Sequence, residues 1–304
     1  MRGVWWVGVY TTYGDESADE TKRRVFAMAT LTGPEQTWQA LSDKWEARTG
    51  GVTFHAADCE SDQGVFAGRD HAENLALYRD LVQIIAGSGL WGCAVAVDLT
   101  ASERFFPGNM DDPPVPYLLC FEGVVTRNVR LVRAMTQLYA SKHKVDPGEQ
   151  GIEFIFDRNA DCEYSAALLY DFYMKMPGSV LREHMADVVS FASRETVGIQ
   201  VSDLIAREAM KDLDNRIGPI RRPRRKSMEA LMRSAAMFEY VELDETYFRE
   251  MATNVERINE IAADVQQYKK WLDEKGLPNT FTQMCRYMLR LKVEKGAKTK
   301  GGVM

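Results

Sequence analysis

The chain has few cysteines, and they are not spaced as metal or disulfide sites. The five are Cys59, Cys93, Cys120, Cys162 and Cys285, and no two of them form a CxxC pair. An odd, scattered set argues against a disulfide framework and against a structural zinc knuckle. Reduced thiols are typical of a cytosolic protein, so we expect a cytoplasmic location.

The sequence also lacks a membrane span and a P-loop. No apolar run approaches the roughly 20 residues that a membrane helix needs, so we expect no membrane contact. The apolar start turns polar between Tyr10 and Glu20 without a clean small-residue cleavage site, which predicts a strand rather than a signal peptide. No GxxxxGK motif followed by Ser or Thr is present, which disfavours ATP-driven P-loop chemistry.

What the sequence does contain is typical of a soluble globular protein. Its 304 residues are enough for one full core and an appendage, with 45% hydrophobic and 27% charged residues. The formal net charge is −6. That balance argues against a general nucleic-acid coat protein but permits an enzyme with a local basic groove.

Hydrophobic periodicity predicts an α/β fold. Predicted strands cover residues 4–13, 24–32, 90–98, 152–157 and 187–192, and predicted helices cover 35–48, 70–87, 117–142, 162–175 and 198–213. The FHAADCES segment and the proline-punctuated residues 100–116 are predicted to be irregular. Three opening strands followed by two helix-linked strands are the order of a ribonuclease H-like mixed sheet flanked by helices.

The same pattern divides the chain into two regions. Residues 1–214 form the predicted ribonuclease H-like domain, with a helical insertion at 33–88, and residues 228–304 form a C-terminal α-helical extension. Amphipathic helices are predicted over 247–272 and 279–293, and they offer packing or homodimer surfaces. Between the regions, RRPRRKS is a basic linker that is either solvated or in contact with a nucleic-acid backbone.

Acidic residues fall at the ends of the predicted strands. Asp15 and Glu16 end the first run, Asp157 ends IEFIFD, and Asp203 lies on a short helix after the last strand. Carboxylates placed in this way can converge and hold Mg²⁺ or Mn²⁺, and two such ions support in-line phosphodiester hydrolysis. Taken singly, each aspartate is more often a turn former or a helix cap.

A fourth metal ligand has several candidates. Glu122 borders the buried stripe of the helix predicted over 117–142, and an acid in that position needs a partner. A half-buried salt bridge explains Glu122 equally well. Glu16 and Asp98 are the other acids that can complete the cluster.

Four further residues are candidates for roles around the acids. His55 and Asp58 form an HxxD pair, in which the histidine is either a proton shuttle, a metal ligand or a surface residue. Gln200 and Arg207 share a helix face with Asp203 and are candidate substrate contacts. Arg207 either pairs with Asp203 or contacts phosphate.

These segments together resemble a known family. The carrying motifs are Tyr13-Gly-Asp-Glu-Ser17, Phe54-His-Ala-Ala-Asp58, Phe154-Ile-Phe-Asp157 and Gln200-Val-Ser-Asp-Leu-Ile205. Over residues 3–213 the chain resembles the family called domain of unknown function 3800. Members of the family often have Gly after the first motif, whereas Ala18 stands here.

The resemblance implies a ribonuclease H-like fold and a suspected nuclease activity, known mainly from bacteria and their mobile elements. It implies Asp15, Asp157 and Asp203 as metal ligands, with Glu16, His55 and Asp58 nearby. The leading hypothesis is therefore a Mg²⁺- or Mn²⁺-dependent nuclease. The alternatives are a non-catalytic binding module on the same fold and, third, a phosphoryl- or nucleotidyl-transfer enzyme.

Overall fold

Six strands form one mixed sheet in the order β5-β4-β1-β2-β3-β6. They are β1 (Val9–Ala18), β2 (Val25–Pro34), β3 (Trp91–Asp98), β4 (Gly151–Asp157), β5 (Ser190–Ala192) and β6 (Phe238–Leu243). Strands β1, β2 and β3 pair antiparallel, whereas β4 is parallel to β1, β5 to β4 and β6 to β3. This computed structural model describes residues 9–105, 114–144, 151–175, 181–233 and 238–252.

Helices connect these strands and cover both faces of the sheet. They are α1 (Glu35–Thr49), α2 (Ala56–Glu60), α3 (His71–Ala86), α4 (Leu99–Phe105), α5 (Pro114–His143), α6 (Glu163–Lys175), α7 (Val197–Ile217) and α8 (Lys226–Met232). Most ends lie within about four residues of the positions that periodicity predicts. The α/β class and the helical stretch between β2 and β3 are therefore confirmed.

Two segments for which the sequence predicts irregular structure are short helices. In FHAADCES, α2 starts at Ala56, whose N–H donates to the Asp203 carboxylate 2.7 Å away and so finds a partner outside the helix. At the start of α4, Asp98 Oδ1 accepts from the backbone N–H of Ala101 and the hydroxyl of Thr100. Asp98 is thus a helix cap, the alternative that applied to any single aspartate.

The described part of residues 228–304 is not wholly helical as predicted. Helix α8 is followed by β6, so the sheet extends beyond residue 214. The segment FEYVEL is rich in aromatic and β-branched residues, and it pairs with the outer edge of β3. Residues 245–252 then begin a helix, and the rest of the helices predicted over 247–272 and 279–293 lies outside the described residues.

Some other expectations also fall partly outside the described residues. These are the first five residues of the strand predicted over 4–13 and the middle of the irregular stretch at 100–116. The four cysteines that the structure describes are buried free thiols. Within the same ranges, no helix combines the length and the apolar character needed to cross a bilayer.

Alternate residues of β2 pack into two separate hydrophobic cores, one on each face of the sheet. Val25, Ala27 and Ala29 pack with α1, α3 and α7 on one face, whereas Met28 packs with α5 and α6 on the other. Because both faces are covered, β2 and β3 are nearly continuous apolar runs. The centre of the sheet is therefore a packed platform from which the strand ends project.

Helix α7 lies very close to β1. A Cβ added at Gly198 would lie 2.2 Å from the Tyr13 ring. Four residues later, the Ser202 hydroxyl donates to the Tyr13 carbonyl at 2.9 Å. This close approach brings the next residue, Asp203, to the strand end that carries Asp15.

We predict that Gly198→Ala lowers the melting temperature by several degrees. Overpacking a tight contact costs about 1–3 kcal/mol, and alanine gains only about 1 kcal/mol over glycine inside a helix. Thermal unfolding followed by circular dichroism measures the change. Gly151→Ala is the matched control, because a Cβ there meets no atom within 4 Å. Equal melting of both variants would contradict the close α7–β1 contact.

Candidate active site

A depression of about 600 Å³ opens at the edge of the sheet where β1 and β4 end. Five carboxylates line it: the exposed Asp161 and four others from three elements, which are Asp15 and Glu16 from β1, Asp157 from the end of β4 and Asp203 from α7. We call these four residues the acidic cluster. The volume falls in the range of ligand pockets, and the place is where α/β sheets commonly bind ligands.

Asp15 is the most strongly perturbed member of the acidic cluster. Burial and the neighbouring carboxylates of Asp203, Glu16 and Asp157 raise its pKa well above the ordinary value. One hydrogen bond opposes the rise, because the Glu16 N–H donates to Asp15 Oδ1 at 2.7 Å. The carboxylates predicted to converge therefore do interact, and they interact repulsively.

Glu16 has one satisfied and one unsatisfied oxygen. Its Oε1 accepts from Asn159 Nδ2 at 2.7 Å, whereas its Oε2 is buried without a hydrogen-bond partner. Burial raises the pKa of Glu16 to about 7, although the hydrogen bond from Asn159 lowers it. A buried carboxylate oxygen without a partner is unusual in a native protein and needs a donor or a cation.

Burial is the largest cause of the raised pKa values of both Asp157 and Asp203. Cations moderate both shifts, because His55 and Arg194 lie near each carboxylate. Asp203 also accepts the Ala56 N–H through Oδ2. Each of these two aspartates is thus partly compensated by positive charge and by a backbone donor.

Gln200 lines the depression and also has a structural role, and its predicted contact with substrate stays a prediction. Its Oε1 accepts from the indole of Trp45 and from the backbone N–H of Phe54, both at 3.0 Å. Its Nε2 donates to the Glu195 carbonyl at 3.1 Å. Gln200 and Asp203 therefore hold alternate amides of one segment, those of Phe54 and Ala56, and so fix the residue between them.

That residue is His55, which lines the depression as predicted. Its Nδ1 lies 3.1 Å from Asp58 Oδ2, and both side chains are about one-third exposed. Asp58 itself is not among the residues that line the depression. Of the HxxD pair, His55 therefore lies in the depression, and Asp58 lies beside it, close to its Nδ1 atom.

Arg207 pairs with Glu60 rather than with Asp203, one of the two partners that the sequence suggests. Its Nε and Nη2 both donate to Glu60 Oε2, at 3.0 and 2.9 Å, and its side chain is 12% exposed. Arg225 of the basic stretch also pairs with Glu60, and Arg224 pairs with Asp212. These two arginines are therefore not a solvated linker, because internal carboxylates already bind them.

Glu122 lies away from the acidic cluster. It does not line the depression, and it accepts a hydrogen bond from Tyr173 of α6. Burial raises its pKa. The prediction that Glu122 completes the cluster is wrong because its side chain faces α6, and Glu16 occupies the fourth position instead.

The lining residues that were not predicted include Tyr117, Asn159 and Arg194. Two of these three had a usable signal. Asn159 lies two residues after Asp157, and Arg194 lies two residues after the end of β5. Since β5 is parallel to β4, its end reaches the same edge of the sheet. Tyr117 near the start of α5 had no such signal.

The donor chemistry of the acidic cluster fits Mg²⁺ or Mn²⁺. Carboxylate oxygens are the ligands that these hard cations prefer, and Glu16 Oε2 lacks a partner. Internal hydrogen bonds engage one oxygen each of Asp15, Glu16 and Asp203, which leaves a second oxygen on each. Across the described ranges, no three His, Cys, Asp or Glu side chains already stand in a metal-holding arrangement.

Comparison of the chain with protein-family models, curated proteins and solved structures found no match. The family resemblance of the four motifs therefore stays a prediction.

We predict that Asp15→Asn raises the melting temperature at pH 8 without divalent ions, by about 2–4 °C for each 1 kcal/mol of relief. The unfolded chain ionises Asp15 at its ordinary pKa, whereas the folded state must protonate it or hold its charge beside three others. The folded pKa is raised, so this penalty grows with pH and vanishes below about pH 4.

Differential scanning fluorimetry at both pH values tests this prediction. Asp171→Asn is the control, because Asp171 is exposed and pairs only with Lys175 on its own helix. A fall in melting temperature at pH 8 for Asp15→Asn would show that the charge of Asp15 stabilises the folded protein.

Proposed function

We propose that this protein is a divalent-metal-dependent phosphodiesterase that hydrolyses nucleic acid, that is, a nuclease. The observation that carries the proposal is the convergence of Asp15, Glu16, Asp157 and Asp203 in one buried depression. A protein that keeps four repelling carboxylates together gives up stability, and a cation-dependent activity explains why.

The fold supports the proposal as a ribonuclease H-like one. Strands β3, β2 and β1 are antiparallel neighbours, and β4 and β5 continue the sheet in parallel from β1. This arrangement supports the ribonuclease H-like order that we infer from the sequence and retain as part of the proposal. The helices from α1 to α3 and the edge strand β6 are additions to it, and membership of the domain of unknown function 3800 family is part of the same proposal.

Within the proposed site, Asp15, Asp157 and Asp203 would hold the metal, and Glu16 Oε2 would supply a further oxygen. When bound, such ions activate water and neutralise the charge that develops on the phosphate. The rigid origin of these ligands matters, since two come from strands at the sheet edge and one from a helix packed against it. Asn159 keeps Glu16 in place through its hydrogen bond.

His55 is the proposed proton-transfer residue. Its Nδ1 faces Asp58, which leaves Nε2 to accept or donate a proton in the depression. The amides on either side of His55 are fixed by Gln200 and Asp203. Asp58 is therefore a positioning residue that orients the imidazole.

Arg194 is the proposed phosphate contact, in place of Arg207. It lines the depression, is exposed, and lies close enough to Asp157 and Asp203 to lower the pKa of both. Arg207 lines the same depression, but its guanidinium is already bound to Glu60. An exposed arginine beside carboxylates brings an anionic substrate to a site that would otherwise repel it.

The double variant Asp15→Asn, Asp157→Asn tests the function. We expect it to abolish Mn²⁺-dependent cleavage of labelled oligonucleotides while circular dichroism shows an intact fold. The double variant Asp80→Asn, Asp171→Asn is the matched control, because it removes two exposed charges outside the depression. Cleavage that survives in the first double variant would refute a catalytic role for the acidic cluster.

Arg194→Met is predicted to lower kcat/KM for oligonucleotide cleavage by about 10- to 100-fold. A hydrogen bond to a charged group contributes about 1.5–3 kcal/mol, and each 1.4 kcal/mol is about tenfold. Arg158→Met is the control, since Arg158 is also exposed and also lowers the pKa of Asp157 but does not line the depression. Equal losses in the two variants would mean that only the general electrostatic field matters.

A further inference from the structure

The depression has an apolar wall beside its acidic cluster. The wall consists of Phe26 from β2, Leu99 from α4, and Pro116 and Tyr117 from α5. It adjoins the carboxylates on the side of Glu16, because Glu16 is the charged group that most raises the pKa of Tyr117. Metal-assisted hydrolysis of a phosphodiester needs no apolar surface, so the wall calls for an explanation of its own.

Tyr117 carries an unused polar group in this wall. Its side chain is 1% exposed, and its hydroxyl is buried without a hydrogen-bond partner. Glu16, which lines the same depression, also has a buried atom without a partner, Oε2. Since buried hydroxyls are normally satisfied, the Tyr117 hydroxyl indicates a polar ligand that reaches the wall.

Phe26 provides the flat part of the wall. Its ring lies 6.4 Å from the ring of Tyr117 and is tilted by 59°. The sheet residues around it, from Val25 to Leu31, are buried, whereas Phe26 is only partly covered. A partly exposed aromatic ring beside the proposed phosphodiester site offers a stacking platform for a base.

We propose that the apolar wall is a subsite for one unpaired nucleobase, stacked on Phe26, of the strand whose phosphate lies at the acidic cluster. This inference rests on the proposed nuclease function and names its substrate class, which is a single strand or an unpaired strand end. A base inside a duplex is paired and stacked, and it can enter such a wall only after extrusion, at a cost of a few kcal/mol. The volume of about 600 Å³ is in the range of sites that enclose a small ligand.

Phe26→Leu separates stacking from packing, because leucine keeps an apolar side chain but removes the ring. Phe191→Leu is the matched control, since Phe191 is also a partly buried strand residue that packs on the same core and lies outside the depression. The substrates are a single-stranded oligonucleotide, the same strand in a duplex, and the same strand with one abasic position. Cleavage is measured with Mn²⁺.

For the unaltered protein we expect the single strand to be cleaved faster than the duplex, and the abasic position to slow cleavage about 5- to 150-fold, the range expected for loss of one stacked base. Phe26→Leu should slow cleavage of the intact strand by the same factor and leave the abasic strand unaffected. Phe191→Leu should behave as the unaltered protein does. Equal cleavage of duplex and single strand, or equal rates for the two variants, would overturn the subsite and leave the nuclease proposal standing.

A binding measurement separates failure of the subsite from failure of catalysis. A strand with 2-aminopurine at the tested position is titrated with Ca²⁺ present, and stacking on Phe26 should quench its fluorescence. Quenching that is lost in Phe26→Leu, without cleavage of any strand, would refute the nuclease proposal and support the subsite. Absence of both cleavage and Phe26-dependent quenching would refute both.

Discussion

The structure depends on keeping four carboxylates together in one buried place. Asp15, Glu16, Asp157 and Asp203 all have raised pKa values, and burial is the first cause in each. The backbone amides of Glu16 and Ala56, the amide side chain of Asn159 and nearby cations offset part of this repulsion. The repulsion that is left must be offset by the packing of α7 on the sheet or removed by a bound cation.

The region between β2 and β3 contributes to this site, because it carries His55 and contacts α7. Trp45 and Phe54 bind to Gln200, so the segment that carries His55 is fastened to α7. At the last residue of α2, the carboxylate of Glu60 pairs with Arg207, Arg225 and Lys211. Because these ion pairs are largely shielded from water, they hold the inserted helices against α7 more firmly than surface pairs would.

Sequence reasoning found the parts of the site that depend on local order. Asp15 and Asp157 were predicted to end neighbouring strands, so their convergence was predictable, although β1 in fact continues to Ala18. The partners of Gln200 and Arg207 lie about 150 residues earlier in the chain, and no local pattern indicates which they choose. For the same reason β6 was missed, since its pairing with β3 is a long-range contact. The prediction for Glu122 was wrong because its position beside the buried stripe of a helix does not indicate which neighbouring element its side chain contacts.

The most direct test of this account is a crystal grown with Mn²⁺, with anomalous scattering used to locate the metal. The account predicts one or two peaks in the depression, bound by Asp15, Asp157 and Asp203, with an oxygen of Glu16 close by. It would be contradicted by a depression without anomalous density in which these carboxyl groups are hydrogen-bonded to one another or paired with Arg194.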